Sequence, residues 1–431
     1  MCGERTDEFL QVARIVAGEA EVRRTAAGFI GYGATKPGDR VLLAVDNHYE
    51  SEVVDALVTA LREKGARVDV IVADVGPDRE FDELTEIETT MRNRPWAEAP
   101  RRWEGIPWVE DLAIRQGYDL LVHGKGGGIP KTPHRYEAMP WLTRAHFLSP
   151  ATYFPRDLHT LINRKTWAMF WEKGRGGTVR VEDPEGTSLT WTLHDGYYRD
   201  RWGFSETPFW GHLLSHPTPP FLDEEDASGV VAGTMSHFSR PFPRIQVFLE
   251  GGRLTRIEGG NKYGAEWRRF VDLTKDTVYP GCPRPGLFWL WEVAIGTNPK
   301  ISRPPNIHHL SSGGFEWERR RSGVIHVGIG SRWRGPEEEW AAERKIWYGH
   351  LHVHLLFPTV TVTTKAGEKL TVIEHGRLTA LDDSEVRELA RKHGDPDTLL
   401  KEDWIPAIPG ISAPGSYKDY ARDPVPLIYG R

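Results

Sequence analysis

Residues 40–76 read RVLLAVDNHYESEVVDALVTALREKGARVDVIVADVG, and they set the class of the N-terminal half. Arg40 to Asp46 is a short apolar run between KPGD and NHYE, suited to a buried strand. From Ser51 the apolar residues recur at helical spacing until Gly65, a natural helix stop. Arg67 to Gly76 then returns as a second strand. Strand, helix and strand in so short a span predict a right-handed βαβ unit on a parallel sheet. YDLLVHG (118–124) and TVRVED (178–183) continue the same pattern as further strands.

A chain of 431 residues exceeds one ordinary core and implies two domains. HPTPPFLDEEDASG (216–229) is rich in proline and acid and supplies the boundary, giving domains at 1–222 and 223–431. Beyond it the periodicity changes. RIQVFLEGGRLTRIEGG (244–260) reads as a hairpin turning at Gly251-Gly252, and VTVTTKAGEKLTVIEHGRL (360–378) as a second. SEVRELARKHG (384–394) reads as a helix. The expected fold is an α/β N-terminal domain with a parallel sheet, followed by a β-rich α+β C-terminal domain that binds metal.

Composition narrows the function. The net charge is −6, which offers nothing to nucleic acid or to an anionic membrane. With only Cys2 and Cys282, no disulfide framework exists, and a reducing cytoplasm is the expected compartment. No apolar stretch is long enough to span a bilayer. Two glycine-rich stretches fail as phosphate loops: in HGKGGGIPKTP (123–133) Pro130 stands where the second glycine belongs, and no clear strand precedes GFIGYG (28–33). The 17 tryptophans can wall a site for flat ligands, or pack a core and a subunit contact, and a homo-oligomer is expected.

Chemistry concentrates in YGHLHVHLLFPTV (348–360), where His350, His352 and His354 alternate. Alternate residues of a strand share a face, so an adjacent pair of these rings can converge on one metal ion. The outer two lie about 13 Å apart and cannot share it. His326, alone in the apolar strand SGVIHVGIGS (322–331), is the natural third ligand; its other reading is a hydrogen-bonded core histidine. Glu292 in GLFWLWEVAIGTNPK (286–300) is a carboxylate inside an apolar run, which needs a metal or an ion-pair partner.

These residues resemble a known family. LWEVAIGTNP, followed by GVIHVGIG and then an H-x-[D/H] strand leading to PTVTV, resembles the aminopeptidase T (M29) metalloenzyme superfamily. It looks most like the branch containing 2,5-dihydroxypyridine 5,6-dioxygenase. Residues 37–70 and FLEGGRLTRIEGG (248–260) are similar to that superfamily's N-terminal start and its glycine-rich hairpin. The resemblance implies that Glu292 matches the glutamate of the family's G-E-x-x-I-G-x-N-P motif, His326 its single histidine and His352 the first residue of H-x-D. His354 stands where the family usually has aspartate, and Glu316 and Glu318 are displaced from its second acidic position. That shortage of carboxylates favours one metal over two.

The expected site therefore has His326, His352 and His354 on one divalent ion, Fe(II) first, with Zn, Mn or Co as alternatives. Glu292 is a further ligand or the acid/base, and His350 holds the substrate. By alternation Phe288 lines the pocket beside Glu292, with Trp347 or Tyr348 contributing from the histidine strand. The leading function is ring cleavage of a small aromatic or N-heteroaromatic compound with O₂. The alternatives are a metal-dependent hydrolase, either an aminopeptidase or one displacing an amino or nitro group from a ring, and a non-catalytic metal-binding protein.

Overall fold

The computed structural model describes residues 2–18, 32–78, 80, 87, 91–93, 107–124, 135–199, 212–216, 223–303, 307–309, 318–332 and 335–430. The two rejected glycine-rich loops lie largely outside these residues. Strands are labelled β1 to β17 in chain order. The chain forms two compact units, residues 1–80, 97–154 and 304–313 in one, and 81–96, 155–303 and 314–431 in the other.

The first unit carries the expected βαβ element. β1 (Arg40–Asp46) and β2 (Arg67–Ala73) pair in parallel, with Leu43 opposite Val70, and the helix Ser51–Glu63 connects them. That helix buries Val53, Val54, Leu57, Val58 and Leu61. Gly65 follows it at φ +87°, the left-handed conformation that lets the chain leave a helix without a Cβ clash. β4 (Leu120–Gly124) and β5 (Arg135–Met139) complete a parallel sheet of order β2-β1-β4-β5.

The second unit is built on one large sheet, antiparallel throughout. Its strands are β3 (Met91–Arg92), β6 (Thr178–Asp183), β7 (Thr187–Thr192), β8 (His212–His216), β9 (Ser228–Met235), β10 (Pro241–Glu250) and β11 (Arg253–Gly259). β12 (Trp289–Gly296), β13 (Ile325–Gly330), β14 (Tyr348–Leu355), β15 (Thr359–Thr363), β16 (Lys369–Glu374) and β17 (Arg377–Leu378) follow. The order is β17-β16-β15-β6-β7-β9-β10-β11-β12-β13-β14-β3, with β8 attached to β12. The sheet curls until β14 meets β9: a Cβ on Gly233 would lie 2.7 Å from the Val353 side chain. Among the described residues, no helix is long and apolar enough to cross a membrane.

Both hairpins form where alternation places them, the first turning at Gly251 and Gly252 with φ of +55° and +75°. TVRVED does form a strand, but it pairs antiparallel with β7 and β15 and does not extend the parallel sheet. Alternation alone carries no strand direction. β6 and β7 share the large sheet with strands beyond residue 223, so the compact units do not divide at 222/223.

A buried acidic corner lies under the C-terminal segment. At the β6–β7 turn, Asp183 accepts from the backbone N–H groups of Glu185 and Phe357. The Glu185 carboxyl accepts from Thr234 Oγ1 and Tyr417. Burial, then the charge of Asp183, pushes the Glu185 carboxyl up to about 8. The folded chain therefore retains a proton that the unfolded chain has released. This contribution is complete below the ordinary carboxylate range and is lost as pH rises through about 8. Glu185→Gln fixes the neutral form. Thermal unfolding of wild type should lose ground to this variant between about pH 5 and about pH 8; parallel melting curves would contradict the assignment.

Candidate metal centre

Four neighbouring strands, β8, β12, β13 and β14, present polar side chains on one buried face. On β14 the even positions share a side, so His350, His352 and His354 project together, and all three are buried. The register sets His326 opposite His354, Gly328 opposite His352 and Gly330 opposite His350. On the other side of β13, Ala294 faces His326 and Glu292 faces Gly328. The glycines and the alanine leave the space that the histidine rings fill. His212 enters from β8, opposite Gly296. His237 arrives from the tight β9–β10 turn, where Ser239 takes a positive φ of 58°.

Two groups of donors result. His212, Glu292 and His326 form one, and His237, His350 and His352 the other; within each, the ligand atoms lie within 4.8 Å of one another. They adjoin: the His326 and His352 rings stack at 4.3 Å, and Glu292 Oε1 lies 3.9 Å from His352 Nε2. Glu292 Oε1 is also 2.6 Å from His326 Nε2 and 3.6 Å from His212 Nε2. Glu292 Oε1, both nitrogens of His352, Nε2 of His212 and His326, and Nδ1 of His237 and His350 are buried without a hydrogen-bond partner among the described residues. Each such atom costs about 1–3 kcal/mol of lost solvation. A divalent cation held by either group would satisfy one donor atom from each of its three residues, and imidazole with carboxylate suits iron, zinc or manganese.

Protonation states agree with that use. Burial lowers His237, His326 and His352 well below the ordinary imidazole range; neighbouring rings act in the same direction, and Arg319 reinforces this for His237 and His326. Burial and Arg319 also lower His212. Burial acts to raise Glu292, but His212, His352 and Arg319 outweigh it, and the carboxyl falls below its usual value. Neutral imidazoles and an ionised carboxylate are the forms that bind metal.

The structure moves His354 out of the expected ligand set. Its Nδ1 lies 2.9 Å from Glu318 Oε1 and its Nε2 lies 2.9 Å from His326 Nδ1, so both ring nitrogens are engaged. Glu318 also accepts from Arg303 Nε at 2.8 Å. Burial acts to raise Glu318, but Arg303 and His354 hold it down to about 2. An ionised carboxylate only accepts, so His354 donates through Nδ1–H and its Nε2 carries the lone pair. His326 must then donate through Nδ1–H, which leaves its Nε2 lone pair directed at Glu292. His354 fixes the tautomer of His326, a candidate metal donor, from one layer behind. The 318–322 turn that carries Glu318 is held by the TNP segment, with Asn298 N–H donating to Arg320 O and Ser322 N–H to Asn298 O.

The expected pocket wall also changes. Between Leu290 and Glu292 the β12–β13 register slips, so that Trp291 and Glu292 together oppose Gly328. The bulge swings Trp291 to the histidine side, with its ring 5.7 Å from His352 and 6.0 Å from His350. Phe288 instead packs edge-on against Trp267 and Phe270, in the aromatic core beneath the helix Asn261–Thr274. Trp347 likewise meets Phe270. Tyr348 is buried and shares the histidine face by alternation. Glu292, His350, His326 and His352 do come together. His212, His237 and Trp291 were invisible in the sequence: the first two sit in segments without clear periodicity, and nothing marks the bulge.

Replacing His354 with Phe removes the acceptor for His326 Nδ1–H while Glu318 keeps Arg303. Metal affinity should fall about 10- to 100-fold, with the number of nitrogen ligands seen by X-ray absorption unchanged. A reduced ligand count would restore His354 to the first coordination sphere.

An α/β unit joined to a curled antiparallel sheet with a buried histidine–glutamate cluster defines the class of architecture. No family model and no curated protein matches the sequence. Among solved structures, the chain is similar to 2,5-dihydroxypyridine dioxygenase from Pseudomonas putida KT2440, at 14% identity and a TM-score of 0.48, covering 89% of this chain and 99% of that one. It is also similar to AmpT from Thermus thermophilus, at 14% identity and a TM-score of 0.46, covering 86% and 99%. At these similarities neither protein's activity transfers to this chain.

Proposed function

We propose that the chain is a metal-dependent enzyme that cleaves a small aromatic or N-heteroaromatic ring with O₂. The observation that carries this reading is the group His212, Glu292 and His326, whose facing atoms lack partners among the described residues. Two histidines and one carboxylate form the donor set of O₂-using non-haem Fe(II) centres, which leave positions open for substrate and gas. Bound there, the ion supplies Lewis acidity and one-electron chemistry. The chain's own residues supply the rest. The relay from Glu318 through His354 holds the His326 lone pair inward. His350 takes the proton of a substrate hydroxyl, and Glu338, with Oε1 3.7 Å from His350 Nδ1, offsets the charge acquired. The curled sheet, with these donors on a buried face, excludes bulk water.

One observation favours a second reading, a metal-dependent hydrolase acting as an aminopeptidase or displacing an amino or nitro group from a ring. The His237, His350 and His352 group is a second complete donor set beside the first. Metal ions held by the two groups would supply an activated water and Lewis acidity at a tetrahedral centre.

Metal content and O₂ dependence separate the two. Protein made without a histidine tag should hold one iron per chain and turn over hydroxypyridines or nitroaromatics only in air. Two metals per chain with anaerobic turnover would establish the hydrolase instead. Glu292→Gln should lose metal and turnover together; a variant with full metal content and wild-type rate would remove Glu292 from the site.

A further inference from the structure

We infer that Glu225 is a positioning residue for the metal site. By holding His216 at the far end of β8 it fixes the register of that strand, and the register keeps His212 turned toward Glu292 and His326. The inference rests on the reading of those three residues as a metal site.

β8 is weakly specified by its own sequence and ladder. Among the described residues it pairs with β12 alone, and that pairing slips between Val293 and Ala294. The strand reads His212, Leu213, Leu214, Ser215, His216. Adjacent leucines point to opposite faces, so a shift by one residue exchanges one for the other and leaves the apolar pattern intact. The same shift turns His212 away from Glu292. The residue facing His212 is Gly296, which has no side chain to hold the ring in place.

Three side-chain contacts hold β8 besides the ladder. Trp171 Nε1–H donates to Leu214 O at 2.9 Å, and Ser215 Oγ–H donates to Val293 O at 2.9 Å. Both acceptors are backbone carbonyls, which every residue offers. The third contact is specific, with His216 Nε2 3.0 Å from Glu225 Oε2. After a slip of one residue Ser215 or Pro217 would face Glu225, and neither offers an imidazole to a buried carboxylate.

Glu225 is itself fixed in place. Tyr197, on the short helix Gly196–Arg199, donates its hydroxyl to the same Oε2, and the Ala227 backbone N–H donates to Oε1 at 3.0 Å. A Cβ on Gly252 would lie 2.2 Å from Glu225 Cγ, so the β10–β11 turn closes directly on this side chain. Tyr197, His216 and the Glu225 side chain are all buried. Burial acts to raise the Glu225 carboxyl, but His216, Tyr197 and the Ala227 N–H hold it down to about 2. A buried pair of this kind adds little net stability, because desolvation offsets the attraction. What it supplies is a single register.

The test measures Co(II) affinity of metal-free protein made without a histidine tag, against a competing chelator. Four proteins form a cycle: wild type, His212→Ala, Glu225→Gln and the double variant. His212→Ala should weaken binding, and Glu225→Gln should weaken it about tenfold. In the His212→Ala background Glu225→Gln should have little further effect, because the ring it positions is gone. The visible spectrum of Co(II)-loaded Glu225→Gln should resemble that of His212→Ala. If Glu225→Gln does not fold, the combined change His216→Leu and Glu225→Leu, which removes both polar partners at once, takes its place in the cycle. Equal losses from Glu225→Gln in both backgrounds would mark a purely structural role and overturn the inference, as would unchanged affinity in Glu225→Gln alone. Either result leaves the metal site standing when His212→Ala weakens binding. Wild-type affinity in His212→Ala, or no Co(II) binding by wild type, removes the site reading itself and the inference with it.

Discussion

Six side chains, five imidazoles and a carboxylate, gather in one cluster with buried polar atoms that lack hydrogen-bond partners among the described residues, and the cost of desolvating them shapes the rest of the second unit. At about 1–3 kcal/mol for each unsatisfied group, the cluster offsets a large share of a typical folding free energy. Such a cluster persists only if something repays it on binding. The fold holds it open with a wide antiparallel sheet whose small residues face the rings. Ala294, Gly328 and Gly330 lie opposite histidines or beside Glu292, and a Cβ on Gly328 would strike both His352 and Trp291.

The sheet alone does not determine which nitrogen of each ring faces inward. That is settled behind it. Arg303 stacks 4.7 Å over the Trp404 ring and pairs with Glu318, which fixes His354, which fixes His326. The relay begins in a charged pair on irregular segments and ends at a lone pair on a strand. A chain of hydrogen bonds in a dry interior strengthens each member, so one ionised carboxylate orients two rings.

How much of this was legible follows from period and distance. The βαβ unit and both hairpins were readable because each is local, with its apolar period and its turn residues in one short segment. That Glu292, His326, His350 and His352 are buried close together was readable for a similar reason: each is a polar residue interrupting an apolar strand. What failed was non-local. His212 and His237 reach the site only through the pairing of β8 with β12 and the curl that brings β9 to β14, and neither leaves a trace in the residues around them. His354 looked like His352 because alternation assigns a face but says nothing of Glu318 behind it. Phe288 was misplaced because one extra residue in β12 reverses every facing beyond it.

The arrangement of charge gives these pieces a common direction. Arg303 and Glu318 neutralise each other outside the cluster, so Glu292 is the lone carboxylate among the two donor groups. Arg319 adds positive potential, which disfavours protonation of His212, His237 and His326. A dication held by these groups would have one carboxylate ligand, with Glu338, whose Oε1 lies 3.7 Å from His350 Nδ1, as a second carboxylate nearby. The same shortage of carboxylates within the two donor groups weighs against two metals being held there.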